Sequence, residues 1–170
     1  LTEIGRGIAL SVIRRHRLFE RLLTDILHLD WSKAHEAACR LEHGATKEVT
    51  ERIEETLGHP NSCPHGNPIP TESGEISEER SQPLDRLEEG ERGVVAKIVE
   101  ERRDVLEYLS HLKLLPGATV EVKEKAQPEG PITVNVAGES HVLSRALASV
   151  IQVKPEANGG SEKPLSELRD

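Results

Sequence analysis

Apolar side chains in the first third of the chain recur every three or four positions, the spacing that places them on one face of a helix. The longest of these patterns covers residues 8–27, and the next covers 32–43, with Asp30 or Ser32 available to cap it. A third pattern starts after Thr46, a favoured N-cap residue, and stops at Gly58, a residue type favoured just past a helix end. Because three such helices cannot bury all their apolar faces among themselves, they predict an antiparallel bundle that dimerises.

The period of the pattern changes to two after residue 88. Strict alternation of apolar and polar residues is typical of half-buried strands, and a short helix is expected over residues 104–112. The predicted strands cover 93–99, 119–123, 132–136, 142–143 and 150–153. About five short strands within one small domain favour a barrel. The predicted fold class is therefore α+β, a helical domain followed by a small β-barrel.

Proline-rich and polar segments separate and follow these two halves. Four prolines within residues 59–70 exclude a regular helix there. The next residues are polar and acidic without periodicity, which predicts a flexible tether. The C-terminal residues are also polar, and we expect them to be disordered. The predicted order is a helical domain over 1–70, an acidic linker over 71–87, a β domain over 88–154 and a disordered tail over 155–170.

The charge balance of the chain excludes some classes of function. Lysine and arginine number 22 and aspartate and glutamate number 30, which gives a formal net charge of −8. This charge excludes binding of nucleic acid by bulk positive charge within this chain. Aromatic residues make up only 2% of the chain, too few for the stacking platforms that hold single-stranded nucleic acid.

Cysteine usage and hydropathy indicate the compartment. Two cysteines, Cys39 and Cys63, are too few for a disulfide scaffold, so we expect a reducing, cytoplasmic environment. No apolar run approaches the ~20 residues that a membrane span requires. We therefore expect no membrane among the partners of this chain.

The second predicted helix carries metal-ligand side chains on one face. At ~100° per residue, one arc of this helix holds His35, Cys39, Glu42 and His43. A thiol, a carboxylate and two imidazoles suit a divalent transition metal, because they combine soft, hard and borderline donors. The first helix adds His16 and Glu20 one turn apart, and antiparallel packing would bring all six side chains together. A single His–Glu pair at this spacing is usually a solvated helix face, so the prediction depends on the larger set.

A second candidate cluster lies in the proline-containing segment and consists of His59, Cys63 and His65. Pro64 and Pro68 stiffen this segment as a connection between elements. We therefore interpret these three residues as part of a structural loop rather than as metal ligands.

Three runs of sequence resemble one known family. The runs HRLFERLLTDILHLDW, HEAACRLEH and CPHGNPIP resemble the diphtheria-toxin-repressor family of iron- or manganese-dependent transcriptional repressors. The resemblance extends through about Val153. It implies a helical dimerisation domain with two metal sites, an SH3-like (FeoA-like) domain, a homodimer, and double-stranded operator DNA as a partner. In that family an N-terminal winged helix-turn-helix reads the DNA. Residues 1–6 resemble the end of its wing, so we expect this chain to be a fragment that lacks the DNA-reading module.

The resemblance also implies roles for the candidate ligands. Cys39, Glu42 and His43 look like the primary, activating site, which in the family is completed by a ligand from the first helix of the DNA-binding domain. The remaining candidate ligands look like the ancillary site; they are His16, Glu20 and His35. Iron-type members resemble this chain in having Cys at position 39, where manganese-type members carry Glu. A thiol favours Fe(II) over Mn(II), so Fe(II) is the expected cofactor and Mn(II) the alternative.

The ancillary site departs from the family pattern at one point. Iron-type members complete this site with a Glu and a Gln from the SH3-like domain, and the corresponding positions here hold Arg102 and Val105. The neighbouring carboxylates that could take their place are Glu101, Asp104 and Glu107.

The resemblance implies a metal-dependent DNA-binding repressor of metal homeostasis. The alternative is a DNA-independent metal-binding adaptor or an accessory protein of ferrous transport, which would use the FeoA-like module. A winged helix encoded upstream would favour the repressor. An enzyme is not expected, because the sequence contains no nucleophile–base pair, phosphate loop or cofactor fingerprint.

Overall fold

Three helices form the N-terminal part of the molecule. The structure, a computed structural model, describes residues 2–77, 79–126 and 129–156. The helices are α1 (Glu3–Arg21), α2 (Ala34–Leu41) and α3 (Lys47–Thr56). Helix α1 begins earlier than the pattern over 8–27 predicts, because the Thr2 hydroxyl accepts a hydrogen bond from the Gly5 amide and caps it. The Thr46 hydroxyl caps α3 in the same way, as predicted.

The helix ends are less regular than their sequences suggest. A π-helical turn, Leu22–Ile26, follows α1 directly. Two 3₁₀ turns, Trp31–Lys33 and Glu42–Gly44, flank α2 and complete the second predicted helix. Helix α1 packs against both α2 and α3. Their apolar faces share one core with residues of the π-helical turn and of the loop after α3; it contains Leu18, Phe19, Leu23, Ala38, Ile53 and Ile69.

The C-terminal part is a six-stranded antiparallel sheet with two short helices. The strands are β1 (Gln82–Pro83), β2 (Arg92–Ile98), β3 (Thr119–Lys125), β4 (Ile132–Val136), β5 (Glu139–Leu143) and β6 (Ile151–Pro155). The helices are α4 (Arg103–His111) and α5 (Arg145–Ser149). The strand order is β1-β6-β2-β3-β4-β5. The predicted α+β class with a small SH3-like β domain is confirmed.

The β domain begins earlier than the sequence predicts. Within the predicted linker, Gln82 pairs with Val153 of β6, and Leu84 and Leu87 are fully buried in the sheet core. The sequence did not reveal β1 because two residues are too short for a period to show. Of the predicted tail, Pro155 ends β6, and residues 157–170 lie outside the described part of the chain.

The proline-containing loop after α3 joins the two domains. The Ile98 amide of β2 donates a hydrogen bond of 2.9 Å to the His65 carbonyl. The indole nitrogen of Trp31 donates to the Pro64 carbonyl at 2.9 Å. Gly66 adopts a φ of +86° and packs directly against the β2 backbone. The loop is therefore fixed from both sides.

Within residues 2–77, 79–126 and 129–156, no helix is both long enough and apolar enough to span a membrane.

Candidate metal centre

Three of the predicted ligands from α1 and α2 meet in one place. His16 Nε2 lies 3.0 Å from Glu20 Oε1 and 3.0 Å from His35 Nδ1. His35 Nδ1 is in turn 3.2 Å from the same oxygen of Glu20. Two ring nitrogens and one carboxylate oxygen thus form a nearly equilateral triangle. Neighbouring ligands of a single metal ion lie about this far apart, because metal–nitrogen bonds are ~2.1 Å long.

A fourth donor reaches this triangle from the β domain. Glu101 lies in the turn between β2 and α4, and its Oε2 atom is 3.1 Å from His35 Nδ1. The side-chain amide of Asn67 donates 2.7 Å to the other oxygen of Glu101 and 2.8 Å to the Ile98 carbonyl. This amide orients the carboxylate, as outer-shell partners of metal ligands do.

The β-domain donor of this centre is Glu101 rather than a residue at position 102 or 105, the positions that the resemblance indicates. Arg102 pairs with Asp104 at 3.1 Å, and Arg103 pairs with Glu107 at 2.8 Å. Neither Asp104 nor Glu107 belongs to the metal-ligand groups found within the described part of the chain. The sequence alone could not choose among the three carboxylates, because the docking of the β domain decides which of them faces the helices.

Two further donors come from the loop after α3. His65 is fully buried, and its Nδ1 lies 3.4 Å from Glu20 Oε1 and 3.5 Å from Glu101 Oε1. Its Nε2 lies 3.1 Å from the Trp31 carbonyl. Because a carbonyl only accepts, Nε2 carries a proton and Nδ1 is the nitrogen that can bind a metal. The buried Cys63 Sγ lies 3.9 Å from Glu101 Oε1 and 4.0 Å from His65 Nδ1.

The interpretation of this loop as structural is therefore incomplete. The loop does join the domains, and it also presents a thiol and an imidazole to Glu20. His59, the third member of that candidate cluster, lies apart, with its side chain 70% exposed and its Nδ1 3.8 Å from Glu54 Oε1. The signal available in the sequence was the close spacing of Cys63 and His65.

Cys39, Glu42 and His43 do not form a separate cluster. Glu42 Oε2 lies 2.7 Å from His16 Nδ1, and Cys39 Sγ lies 3.9 Å from the same nitrogen. His43 is 78% exposed, and its Nε2 is 3.5 Å from Glu42 Oε1. The two predicted sets thus meet at His16, since one ring nitrogen faces Glu42 and the other faces Glu20.

Hydrogen bonding sets the charges of the buried groups. Burial opposes ionisation of Glu20, but hydrogen bonds from the surrounding imidazoles hold its pKa far below the usual range. The same balance of burial against hydrogen bonds leaves the pKa of Glu101 at about 2. Hydrogen bonds to these carboxylates raise the pKa of His35 to about 9. Against the effect of its burial, hydrogen bonds with Cys63, Glu101 and Glu20 raise the pKa of His65 to about 12. Both carboxylates are therefore ionised at neutral pH, and the protonated imidazoles beside them supply a positive charge that a bound cation can replace.

One buried atom shows that these residues suit a metal ion. Glu20 is fully buried, and its Oε2 atom has no hydrogen-bond partner. An unpaired carboxylate oxygen in the interior is costly unless a cation binds it. Imidazoles, carboxylates and a thiol at these separations match the donors that bind divalent transition metals. The centre could therefore hold such an ion between the helical domain and the β domain.

Two sequence families match the chain in succession. Residues 2–71 match the iron dependent repressor, metal binding and dimerisation domain. Residues 82–155 match the FeoA domain. The second match begins at the first residue of β1, in agreement with the start of the β domain in the structure.

Relatives and a solved structure are similar to the chain across both matched segments. The iron-dependent repressor IdeR of Mycobacterium tuberculosis is 35% identical over 91% of this chain and 72% of its own length. The diphtheria toxin repressor of Corynebacterium glutamicum is also 35% identical, over 91% of this chain and 71% of its own. A solved manganese-dependent transcriptional repressor in complex with manganese has a TM-score of 0.86 and 31% identity, over 92% of this chain and 74% of its own. The similarity therefore includes both domains.

Proposed function

The chain belongs to the iron-dependent repressor family, and from that membership we propose that it is a metal-sensing transcriptional repressor whose effector is Fe(II). In this proposal the chain acts as a homodimer on double-stranded operator DNA and regulates metal homeostasis. The relatives that share both domains are named as metal-dependent repressors, which supports a regulator over an enzyme.

The observation that carries the proposal is the convergence of ligand-type side chains from both domains. His16 and Glu20 come from α1, His35 from α2, and Glu101 from the β domain, and each has its donor atom near those of the others. The loop after α3 adds Cys63 and His65 to the same carboxylates. An ion pair that only stabilises the fold would need two of these groups, so the larger set favours a metal centre.

The positions of these residues explain how a metal could act as a signal. A bound divalent ion displaces the protons of the imidazoles and takes their place as the positive charge beside the ionised carboxylates. Glu20 holds the helical side of the centre, and Glu101 holds the β-domain side. An ion that binds the docked arrangement better than the undocked one therefore shifts the population towards docking. Asn67 keeps Glu101 oriented towards His35, so the signal depends on the loop after α3 as well.

We propose a second, more exposed site at Cys39, Glu42 and His43. Cys39 is exposed, Glu42 is buried beside His16, and His43 would have to turn from solvent to join them. Because Glu42 contacts His16, binding at this outer site is coupled to the inner centre. The resemblance to the family supports the assignment of these three residues as the activating site.

Anaerobic titration with Fe(II) and Mn(II) tests the proposed function. We expect the double variant His16→Ala/His35→Ala to weaken the tighter binding by ~100-fold, because two imidazole ligands are lost. The double variant Glu42→Ala/His43→Ala should remove a separate phase of binding. Trp31 is the only tryptophan and lies 4.9 Å, centre to centre, from the His65 ring, so its fluorescence reports binding directly.

A matched control removes two histidines that lie away from the centre. His59 and His111 are both exposed, and His59→Ala/His111→Ala should bind both metals as the unmodified chain does. Binding of neither metal by the unmodified chain, even at millimolar concentration, would contradict the sensor proposal. Equal loss in the control and in His16→Ala/His35→Ala would show that the binding is unspecific.

The preference for iron has its own test. Cys39 offers a soft sulfur donor beside His16 and His35, with its Sγ 3.9 Å from a ring nitrogen of each. We expect Cys39→Glu to shift the ratio of the Fe(II) and Mn(II) dissociation constants towards Mn(II) by roughly 10-fold, because a carboxylate is a harder ligand. Competition titrations measure the ratio, with Cys39→Ser as the size-matched control. An unchanged ratio in a folded Cys39→Glu variant would remove Cys39 from the iron preference.

A further inference from the structure

Trp31 links the helical domain to the β domain without belonging to the ligand set. Its backbone lies in the 3₁₀ turn Trp31–Lys33, between α1 and α2. Its side chain packs against the hydrophobic core of the β domain, whose other members all come from residues 84–153. The same turn also contacts helix α4. The indole of a helical-domain residue therefore completes the packing of the other domain.

The polar atoms of Trp31 hold two successive residues of the loop after α3. The indole nitrogen donates to the Pro64 carbonyl at 2.9 Å, and the Trp31 carbonyl accepts from His65 Nε2 at 3.1 Å. The indole and imidazole rings lie with their centres 4.9 Å apart and their planes inclined by 59°. A buried imidazole with one nitrogen bonded and one face covered has little freedom to rotate. Trp31 therefore helps to direct His65 Nδ1 towards Glu20 Oε1, 3.4 Å away.

The loop connects these contacts back to the β domain. The His65 carbonyl accepts a hydrogen bond of 2.9 Å from the Ile98 amide of β2, so the residue that Trp31 orients is also bound to the sheet. The indole, the loop and β2 thus form a closed set of contacts. Undocking of the β domain would expose the indole and break the bond from Ile98, because both contacts depend on the same packing.

The turn that carries Trp31 is held by its own cap. Asp30 Oδ1 accepts hydrogen bonds from the Ser32 amide at 3.0 Å and from the Ser32 hydroxyl at 2.5 Å, and Ser32 is buried. Helix α2 begins directly after this turn and carries His35 in its first turn. The backbone of Trp31 is therefore fixed relative to His35, and the indole is the part that depends on the β domain.

We propose that Trp31 is a positioning residue that couples docking of the β domain to metal affinity, by holding His65 in its ligand position while the indole is packed in the β-domain core. The inference rests on the proposed function, because metal affinity is the property that Trp31 would change. A ligand that is already oriented loses less freedom when the metal binds, so the docked form binds the ion more tightly. By linkage, bound metal must then favour docking to the same extent.

Amide hydrogen exchange at Ile98 measures this coupling. The Ile98 amide is bonded to the His65 carbonyl and exchanges when the loop leaves β2, whereas the Val95 amide is bonded to the Ala118 carbonyl within the β domain. We expect Mn(II) to slow exchange at Ile98 by ~30-fold and at Val95 by less than ~3-fold, since coupled equilibria typically shift by about 5–150-fold. Mass spectrometry with fragmentation to single amides reads both positions after the exchange is quenched.

Trp31→Phe keeps a ring for the β-domain core but removes the donor to Pro64. We expect this variant to bind Mn(II) ~10-fold more weakly and to lose most of the metal-dependent slowing at Ile98. Competition with a chromophoric chelator measures the affinity, because Trp31 is the only tryptophan and its fluorescence is lost. Asp30→Ala, at an exposed position, loosens the turn without altering the indole and should weaken binding by a smaller factor, ~3-fold.

Tyr108→Ala is the matched control, because it removes a ring that is half exposed on α4. It should leave metal affinity and exchange at Ile98 as they are in the unmodified chain. A folded Trp31→Phe variant with unchanged affinity and unchanged slowing at Ile98 would overturn the coupling. Faster exchange at Ile98 and Val95 alike, with the metal effect intact, would overturn it too, because Trp31 would then only stabilise the fold.

The unmodified chain provides a test that depends on no variant. Mn(II) binding without slower exchange at Ile98 would overturn the coupling and leave the proposed sensor intact. Absence of Mn(II) binding would overturn the proposed function as well.

Discussion

Replacing Glu20 by Gln is expected to weaken Mn(II) and Fe(II) binding by at least ~1000-fold, the largest effect of any single substitution in the centre. Glu20 is fully buried, and its Oε1 atom lies within 3.4 Å of a nitrogen of His16, His35 and His65. Gln retains the shape and one acceptor but removes the negative charge that a divalent ion requires. Removing an outer-shell partner costs ~10–100-fold in metal affinity, and loss of a shared charged ligand should cost more.

The measurement is a competition titration against a chelator of known affinity, read by Trp31 fluorescence. Glu55→Gln is the matched control, since Glu55 is exposed on α3 and pairs with Arg52. It removes the same charge and should leave affinity within threefold. A folded Glu20→Gln variant that binds as tightly as this control would show that Glu20 is not a ligand.

The ligands on α1 and α2 could be predicted from sequence, whereas those brought in by docking of the loop and the β domain could not. Periodicity alone placed His16 and Glu20 on one helix face, and the structure has them 3.0 Å apart. The same argument placed His35 on the face of α2 that meets α1. Helical phase is a local property, so residues one turn apart could be paired from sequence.

Glu101 and His65 could not be assigned in this way. Each reaches Glu20 only because the loop after α3 docks against β2, with the Ile98 amide bonded to the His65 carbonyl. Docking depends on contacts between distant parts of the chain, which no local period encodes. Antiparallel packing was expected to bring Glu42 and His16 together, and the two residues are hydrogen-bonded in the structure, whereas the resemblance to the family assigns them to different sites.

The docking itself is tested by Gly66→Ala. We expect this change to destabilise the protein by ~3 kcal/mol or more, a cost typical of steric conflict with backbone at a strained position. Gly66 has a φ of +86°, where a side chain is strained, and a Cβ there would overlap the Ala96 carbonyl and lie 2.8 Å from Lys97 Cα. The conflict is with backbone, so no side-chain rotation relieves it.

The expected consequence extends to the metal centre. Displacement of the loop from β2 would move Cys63 and His65 away from Glu101 and break the hydrogen bond between the Ile98 amide and the His65 carbonyl. Metal affinity should therefore fall by ~10-fold or more, together with the melting temperature measured by circular dichroism.

Gly58→Ala separates backbone strain from steric conflict. Gly58 has a φ of +72°, but nothing lies within 4 Å of a Cβ placed there. This variant should lose only ~1 kcal/mol and keep its metal affinity, because the strain is present without the overlap. Equal destabilisation in the two variants would show that the overlap between the added Cβ and β2 contributes nothing beyond the strain of the positive φ. The contact of Gly66 with β2 would then not be what holds Glu101 beside the histidines.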